Sequence, residues 1–272
     1  MGRLTGIIDM HIHSAPDIRQ RKLDDLQLME AAVERGVRAI VIKSHMVPTA
    51  DRATLVNKIR QEKYPDSDFQ MFGSLVMNLP VGGINPWAVE ASIKLGAKEI
   101  FLPTMTAENH CRKENKEHFV SVVKDGKIVE PLKDVFQLVK DYDVALGTGH
   151  ISPSEIFTVV EAARNAGVKK IIVTHPEFHI VGMSLEEEKR IVKDYDVLLE
   201  NVYKKNLPDN VAHMKEIGCE HFIVSTDGGQ MQNPEWYNTI AEYIDYLYDS
   251  GFSQEEIDVM TKKNPGRMLG IE

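Results

Sequence analysis

Five histidines and one aspartate carry the chemistry that this sequence offers. His11 and His13 stand two apart, His45, His150 and His175 follow singly, and Asp227 comes late in the chain. Along an extended segment, residues two apart point to the same side, so the imidazoles of His11 and His13 can reach one metal ion. Imidazole nitrogen and carboxylate oxygen are the donors that zinc, manganese and iron take. The set predicts a centre of one or two divalent ions, with zinc the first choice. A His-x-His pair means little alone, so the weight rests on where its partners sit.

Short apolar runs alternate with helix-length segments along the chain. The runs that read as strands are 6–10, 37–43, 70–77, 99–102, 144–148, 170–174, 197–200 and 222–225. They are rich in Val, Ile, Leu and Phe with little polar alternation, as strands are when both faces are covered in a parallel sheet. Between them, apolar residues recur at three- and four-residue spacing. Leu26, Met29, Ala32 and Val33 would form one such helical stripe. Gly36, Gly96, Gly167 and Gly218 stand where a helix must turn back into a strand. Asn85-Pro86 and Ser152-Pro153 read as helix starts, and Ser184 with Glu187 has the form of a capping box.

Eight strands with intervening helices predict an α/β fold, a distorted TIM-like (β/α)8 barrel, with an open doubly wound sheet as the alternative. Residues 1–272 read as one domain. An insertion spans about 104–130 after the fourth strand. There, 104–116 reads as polar and irregular, and 119–129 as a hairpin turning at Asp125-Gly126. His11, His13, His45, His150, His175 and Asp227 all fall at the C-terminal ends of their strands, the face on which barrel active sites are built.

These motifs resemble those of the amidohydrolase superfamily. Asp9-Met10-His11-Ile12-His13, Gly149-His150, Thr174-His175-Pro176 and Ser225-Thr226-Asp227 are similar to its strand-one, -five, -six and -eight motifs. The closing Lys263-Asn264-Pro265-Gly266-Arg267-Met268-Leu269-Gly270 is similar to its common final segment. The resemblance implies a barrel with one or two metals, with His11, His13, His150 and Asp227 as ligands or catalytic groups. It also implies His175 as a ligand or as a partner of the reactive water.

The fourth strand departs from the dinuclear members, which carry a bridging Lys or Glu at its end. Here it ends Phe101-Leu102-Pro103-Thr104-Met105, and Glu99, near its start, is expected to point away from the site. The second strand ends Ile42-Lys43-Ser44-His45, which resembles a motif of polymerase-and-histidinol-phosphatase-type hydrolases. Lys43 or His45 would then supply a ligand, or else Lys43 binds substrate and His45 supports a ligand.

The implied chemistry is attack by a metal-activated water on an amide, ester, lactone or phosphoester, with Asp227 shuttling the proton and His175 polarising the scissile oxygen. Lys43, Asn78, Asn201 and Gly228 are candidate substrate contacts, and Glu200, His179 and His110 candidate supporting groups or substrate contacts. His118, His213 and His221 read as ordinary packing or surface residues. Exposed amides at Gly228-Gly229, with Arg19, Arg21, Arg112, Lys113, Lys204 and Lys205, would suit an anionic small molecule. Two readings compete: a mononuclear decarboxylase of the same superfamily, and a non-catalytic metal-binding barrel.

Composition limits the partners. A net charge of -9, from 32 basic and 41 acidic residues, argues against a nucleic-acid-binding face. No apolar run reaches the roughly 20 residues of a membrane helix, and no leader is expected. Two separated cysteines, Cys111 and Cys219, fit a reducing compartment, so a cytoplasmic location is expected. Oligomeric state is open, with a homo-oligomer among the readings.

Overall fold

A computed structural model describes residues 2–203 and 207–271. Eight parallel strands form one sheet in the order β1 (Ile8–Ile12), β2 (Ala39–Ile42), β3 (Gln70–Val76), β4 (Ala97–Phe101), β7 (Ala145–Gly147), β8 (Ile171–Val173), β9 (Leu198–Val202) and β10 (Phe222–Ser225). The two remaining strands, β5 (Val123–Lys124) and β6 (Lys127–Ile128), pair as a small antiparallel hairpin. The intervening helices are α1 (Asp25–Glu34), α2 (Ala50–Lys63), α3 (Pro86–Lys94), α4 (Glu108–Lys113), α5 (Pro131–Asp141), α6 (Pro153–Ala166), α7 (Leu185–Tyr195) and α8 (Leu207–Ile217). α9 (Trp236–Asp249), α10 (Gln254–Asp258) and α11 (Asn264–Leu269) follow the last strand. The architecture is the distorted (β/α)8 barrel that the alternating pattern predicts. Among the described residues, no helix is long and apolar enough to cross a membrane.

The sheet closes between its first and last strands. Ile12 bridges Gly228, and the His13 amide donates to the Gly228 carbonyl at 2.9 Å. Gly229 lies so close that a Cβ there would stand 1.8 Å from the His13 carbonyl oxygen, and its φ of +98° suits only glycine. The helix boundaries follow their signals. Ser152 and Ser184 form capping boxes with Glu155 and Glu187, and Asn85 caps α3. Gly36, Gly96, Gly167 and Gly218 all have positive φ.

The apolar interior is split. One cluster packs the outer strand faces against the helices. A second fills the bottom of the barrel with Ile8, Met10, Ala39, Val41, Ala145, Ile172, Leu198 and Ile223, sealed by Met268 and Leu269 of α11. The Asn264 side chain fixes that seal, donating to the carbonyls of Glu220 and Phe222 at 2.9 and 2.8 Å. This gives the Asn-Pro-Gly-Arg segment a physical task, closure of the N-terminal end.

The local reading needs three corrections. The buried face of α1 carries Leu28, Met29 and Ala32, whereas Leu26 is 42% exposed. The insertion lies where expected and turns at Asp125-Gly126, but its first part is not irregular, because it forms α4. Glu99 does not point away from the site. Its carboxylate is buried inside the barrel, beside Phe101 where Gly147 leaves room.

Candidate active site

A bulge in β1 aims the two leading histidines. Asp9 is in register with Ile40 and Ile12 with Ile42, so β1 carries one residue more than β2 over this stretch. Such an insertion reverses which residues face inward beyond it. Ile8 and Met10 therefore belong to the apolar bottom, while His11 and His13 face the interior above it. Asp9 secures the bend, accepting from the His11 amide and from the Thr226 amide and hydroxyl. Burial raises the Asp9 carboxyl to about 6.

The ring nitrogens of both histidines are assigned by their neighbours. Nδ1 of His11 lies 3.0 Å from Glu200 Oε2, and Nδ1 of His13 lies 2.8 Å from the Lys43 carbonyl oxygen. A carbonyl oxygen only accepts, so His13 donates from Nδ1 and keeps the Nε2 lone pair for a ligand. An ionised Glu200 imposes the same tautomer on His11. Asp227 Oδ1 faces both Nε2 atoms, at 3.3 Å from His11 and 3.2 Å from His13. Desolvation pulls His13 down to about 4, so it is neutral near pH 7. Burial also holds His45 and His150 well below the usual histidine range. Neutral imidazoles with outward lone pairs beside a carboxylate are a fitting donor set for a divalent metal.

The other histidines complete a ring. His45 lies 4.8 Å from His13 between ring centroids, His150 6.2 Å from His45, and His175 5.0 Å from His150 and 5.8 Å from His11. All six predicted metal or catalytic residues thus meet at the C-terminal mouth. His175 and Asp227 have φ of +28° and +46°, conformations that typically cost about 1–3 kcal/mol and cluster at working sites. Phe178 packs on both His150 and His175. The insertion contributes His110, whose Nδ1 lies 2.6 Å from Nδ1 of His150 with the rings stacked.

Beneath the ring lies a buried layer of charge. Lys43 Nζ is 3.0 Å from His11 Nε2 and stands over the Phe101 ring. Among the described residues, neither Glu99 oxygen has a hydrogen-bond partner. Desolvation, reinforced by Glu200, pushes the Glu99 carboxyl well above its ordinary range, while Lys43 opposes the shift. The Lys43 Nζ thus reaches the same His11 nitrogen that a metal ion would take. Glu200, expected as a supporting group or substrate contact, stands in the supporting position against His11, whereas Glu99, expected to point away, belongs to this layer.

The expected substrate contacts fare differently. Lys43 stands in the barrel, but Asn78 is occupied in bracing the mouth. Its amide donates to the His45 carbonyl and Thr104 Oγ1, and its oxygen accepts from Thr104 and Thr106. Asn201 lies on the other parity of β9 from Glu200 and engages Asn210, Tyr243 and Glu177. The Gly228 amide donates to Thr226 Oγ1 rather than outward. Arg21 forms a buried pair with Asp17, and Arg112 pairs with Glu108. Lys113 donates to the carbonyls of His179 and Ile180. His179 is exposed beside Phe178. Lys204 and Lys205 lie outside the described residues.

A family model described as "Family of unknown function (DUF6282)" matches residues 6–200. A search of curated proteins gives no significant match. Solved structures give many. An amidohydrolase from Pseudomonas aeruginosa superposes with a TM-score of 0.68 at 12% identity, covering 98% of this chain and 96% of its own. An organophosphorus hydrolase from Deinococcus radiodurans gives 0.62 at 12% identity, with coverages of 99% and 94%. A 2,6-dihydroxybenzoate decarboxylase from Rhizobium gives 0.57 at 11% identity, with coverages of 98% and 99%. At such identities the likeness is one of fold. The polymerase-and-histidinol-phosphatase likeness of the second strand finds no support among these structures. Its residues divide between two tasks, Lys43 in the charge layer and His45 in the ring.

Proposed function

Since the chain belongs to the DUF6282 family, whose description assigns no activity, we propose from its own geometry that it is a metal-dependent hydrolase of the amidohydrolase type. The substrate class is a small molecule with an amide, ester, lactone or phosphoester bond. One observation carries the reading: Asp227 Oδ1 stands within 3.3 Å of Nε2 of both His11 and His13, at the barrel mouth. His11, His13 and Asp227 would hold a divalent cation, with His45, His150 and His175 completing one site or a second. Zinc is the first choice, with manganese or iron as alternatives. Such a cation supplies Lewis acidity, which polarises an oxygen and brings the pKa of water from about 15.7 towards 7.

The protein's own groups do the rest. The Glu200 carboxylate and the Lys43 carbonyl hold the two imidazoles in the tautomer that presents Nε2. Asp227 takes the proton of the attacking water and delivers it to the leaving group. His175, across the mouth, stabilises charge on the scissile oxygen. Phe178 and the insertion narrow the mouth on the side of His150.

A mononuclear decarboxylase is the second reading. Its support is Phe101, an apolar side chain near the end of β4, with Glu99 below it rather than beside the ring. Metal analysis and a substrate panel test both. The metal-reconstituted protein is offered esters, lactones, amides, phosphoesters and aromatic carboxylates, with and without chelator. Chelator-sensitive hydrolysis that Asp227→Asn lowers by about 10²–10⁴-fold is the expected outcome. Hydrolysis unchanged in Asp227→Asn overturns the proposed shuttle, and carbon dioxide release favours the second reading.

A further inference from the structure

Outside the barrel, three residues from separate elements converge behind β9. Glu177 follows β8 by four residues, Glu188 lies in the first turns of α7, and His213 lies in the middle of α8. One donor atom from each lies within 4.8 Å of the others. We propose that Glu177, Glu188 and His213 form a second divalent-cation site, separate from the mouth, that ties the loop bearing His175 to α7 and α8.

The Glu188 side chain is fully buried, Oε2 meets His213 Nδ1 at 2.9 Å, and among the described residues Oε1 has no hydrogen-bond partner. A carboxylate oxygen removed from water without a donor is costly, and metal coordination is one of the few ways to compensate it. A plain Glu–His pair would leave that oxygen bare. Carboxylate oxygen and imidazole nitrogen are both donors that zinc accepts. Tetrahedral zinc sets its donors roughly 3.4 Å apart, given bonds of about 2.0–2.1 Å, so small side-chain rotations complete the geometry. Support from behind is in place. Asn201 Nδ2 donates to Glu177 Oε1 at 2.8 Å, and Asn201 Oδ1 is itself fixed by Asn210 and Tyr243. Such outer hydrogen bonds orient ligands at metal sites.

The consequence concerns the catalytic loop. Glu177 stands two residues beyond His175, whose positive φ needs support from its surroundings. An ion bridging Glu177 to two helices supplies that support without entering the mouth.

The test counts metal in the full chain. Chelator-stripped wild type, Glu188→Gln and His213→Gln are dialysed against micromolar zinc, and zinc per folded chain is measured. Each variant is expected to bind one ion fewer than the wild type, whether the mouth holds one ion or two. Equal zinc in wild type and folded variants overturns the site. Should the variants fail to fold, wild-type crystals with zinc, measured at the zinc absorption edge, decide the matter. An anomalous peak between Glu177, Glu188 and His213 is expected, and absence of a peak there overturns the proposal whatever the mouth contains.

Discussion

The two ends of this barrel are made by opposite rules. At the N-terminal end, aliphatic side chains from six strands meet Met268 and Leu269 in an apolar seal held by two hydrogen bonds from Asn264. At the C-terminal end, five imidazoles crowd a carboxylate, two residues adopt left-handed backbone, and an ammonium and two carboxylates lie buried underneath. The bottom is what a chain selected for folding alone would build throughout. The mouth is what it keeps despite the cost. The contrast locates function more firmly than any single histidine does, because desolvated polar groups persist only where something requires them.

Substitutions can break that contrast. The largest expected effect is at the mouth: Asp227→Asn lowers metal-dependent turnover by about 10²–10⁴-fold while leaving the thermal midpoint nearly unchanged. Next comes the charge layer between the ends. Lys43→Met removes the cation that opposes the upward shift of the buried Glu99 carboxyl, and is expected to destabilise the metal-free chain by about 3–5 kcal/mol in urea titration. Adding Glu99→Gln should recover part of that loss, and a double-mutant cycle with no coupling would refute the electrostatic link between the two. At the bottom, Leu269→Ala should cost about 2–5 kcal/mol of stability with kcat unaltered, the reverse of the Asp227 result.

The mildest test is pH. His13 titrates at about 4 in the fold against 6.5 for a free histidine, so the unfolded chain takes up the proton first. Stability of the metal-free chain is therefore whole above pH 6.5, falls as pH drops from 6.5 towards 4, and loses about 3 kcal/mol from this group. Urea midpoints at pH 7.5 and 4.5 read the change. His13→Gln should remove the part of the slope that belongs to His13, leaving the share of His45 and His150.

The sequence made the barrel and the ring legible for the same reason. Apolar runs of strand length and the glycines after helices are local signals, and each key histidine lies next to a strand end. Parity was harder. A strand covered on both faces carries no polar alternation, so nothing local says which residues face inward. That is why Glu99 was placed outside and Asn201 inside, each the opposite of the fold. The bulge in β1 is invisible for the same reason, although the Asp9-x-His11 spacing bears a trace of it in the carboxylate that secures the turn. The α1 stripe takes Leu26 in place of Leu28 because the two offer equal hydrophobicity, while Met29 and Ala32 are buried as expected.

Closure at the seam between β1 and β10 has a temporal meaning. Asp9 and Thr226 are hydrogen-bonded across 217 residues of chain, and His11 and His13 meet Asp227 across nearly the same interval. During synthesis His11 and His13 emerge more than two hundred residues before Asp227, so they lack their carboxylate partner until the last strand of the sheet has docked. Under the proposed function, capture of metal by the pair alone is correspondingly weak. The proposed centre is then complete only once the barrel has closed.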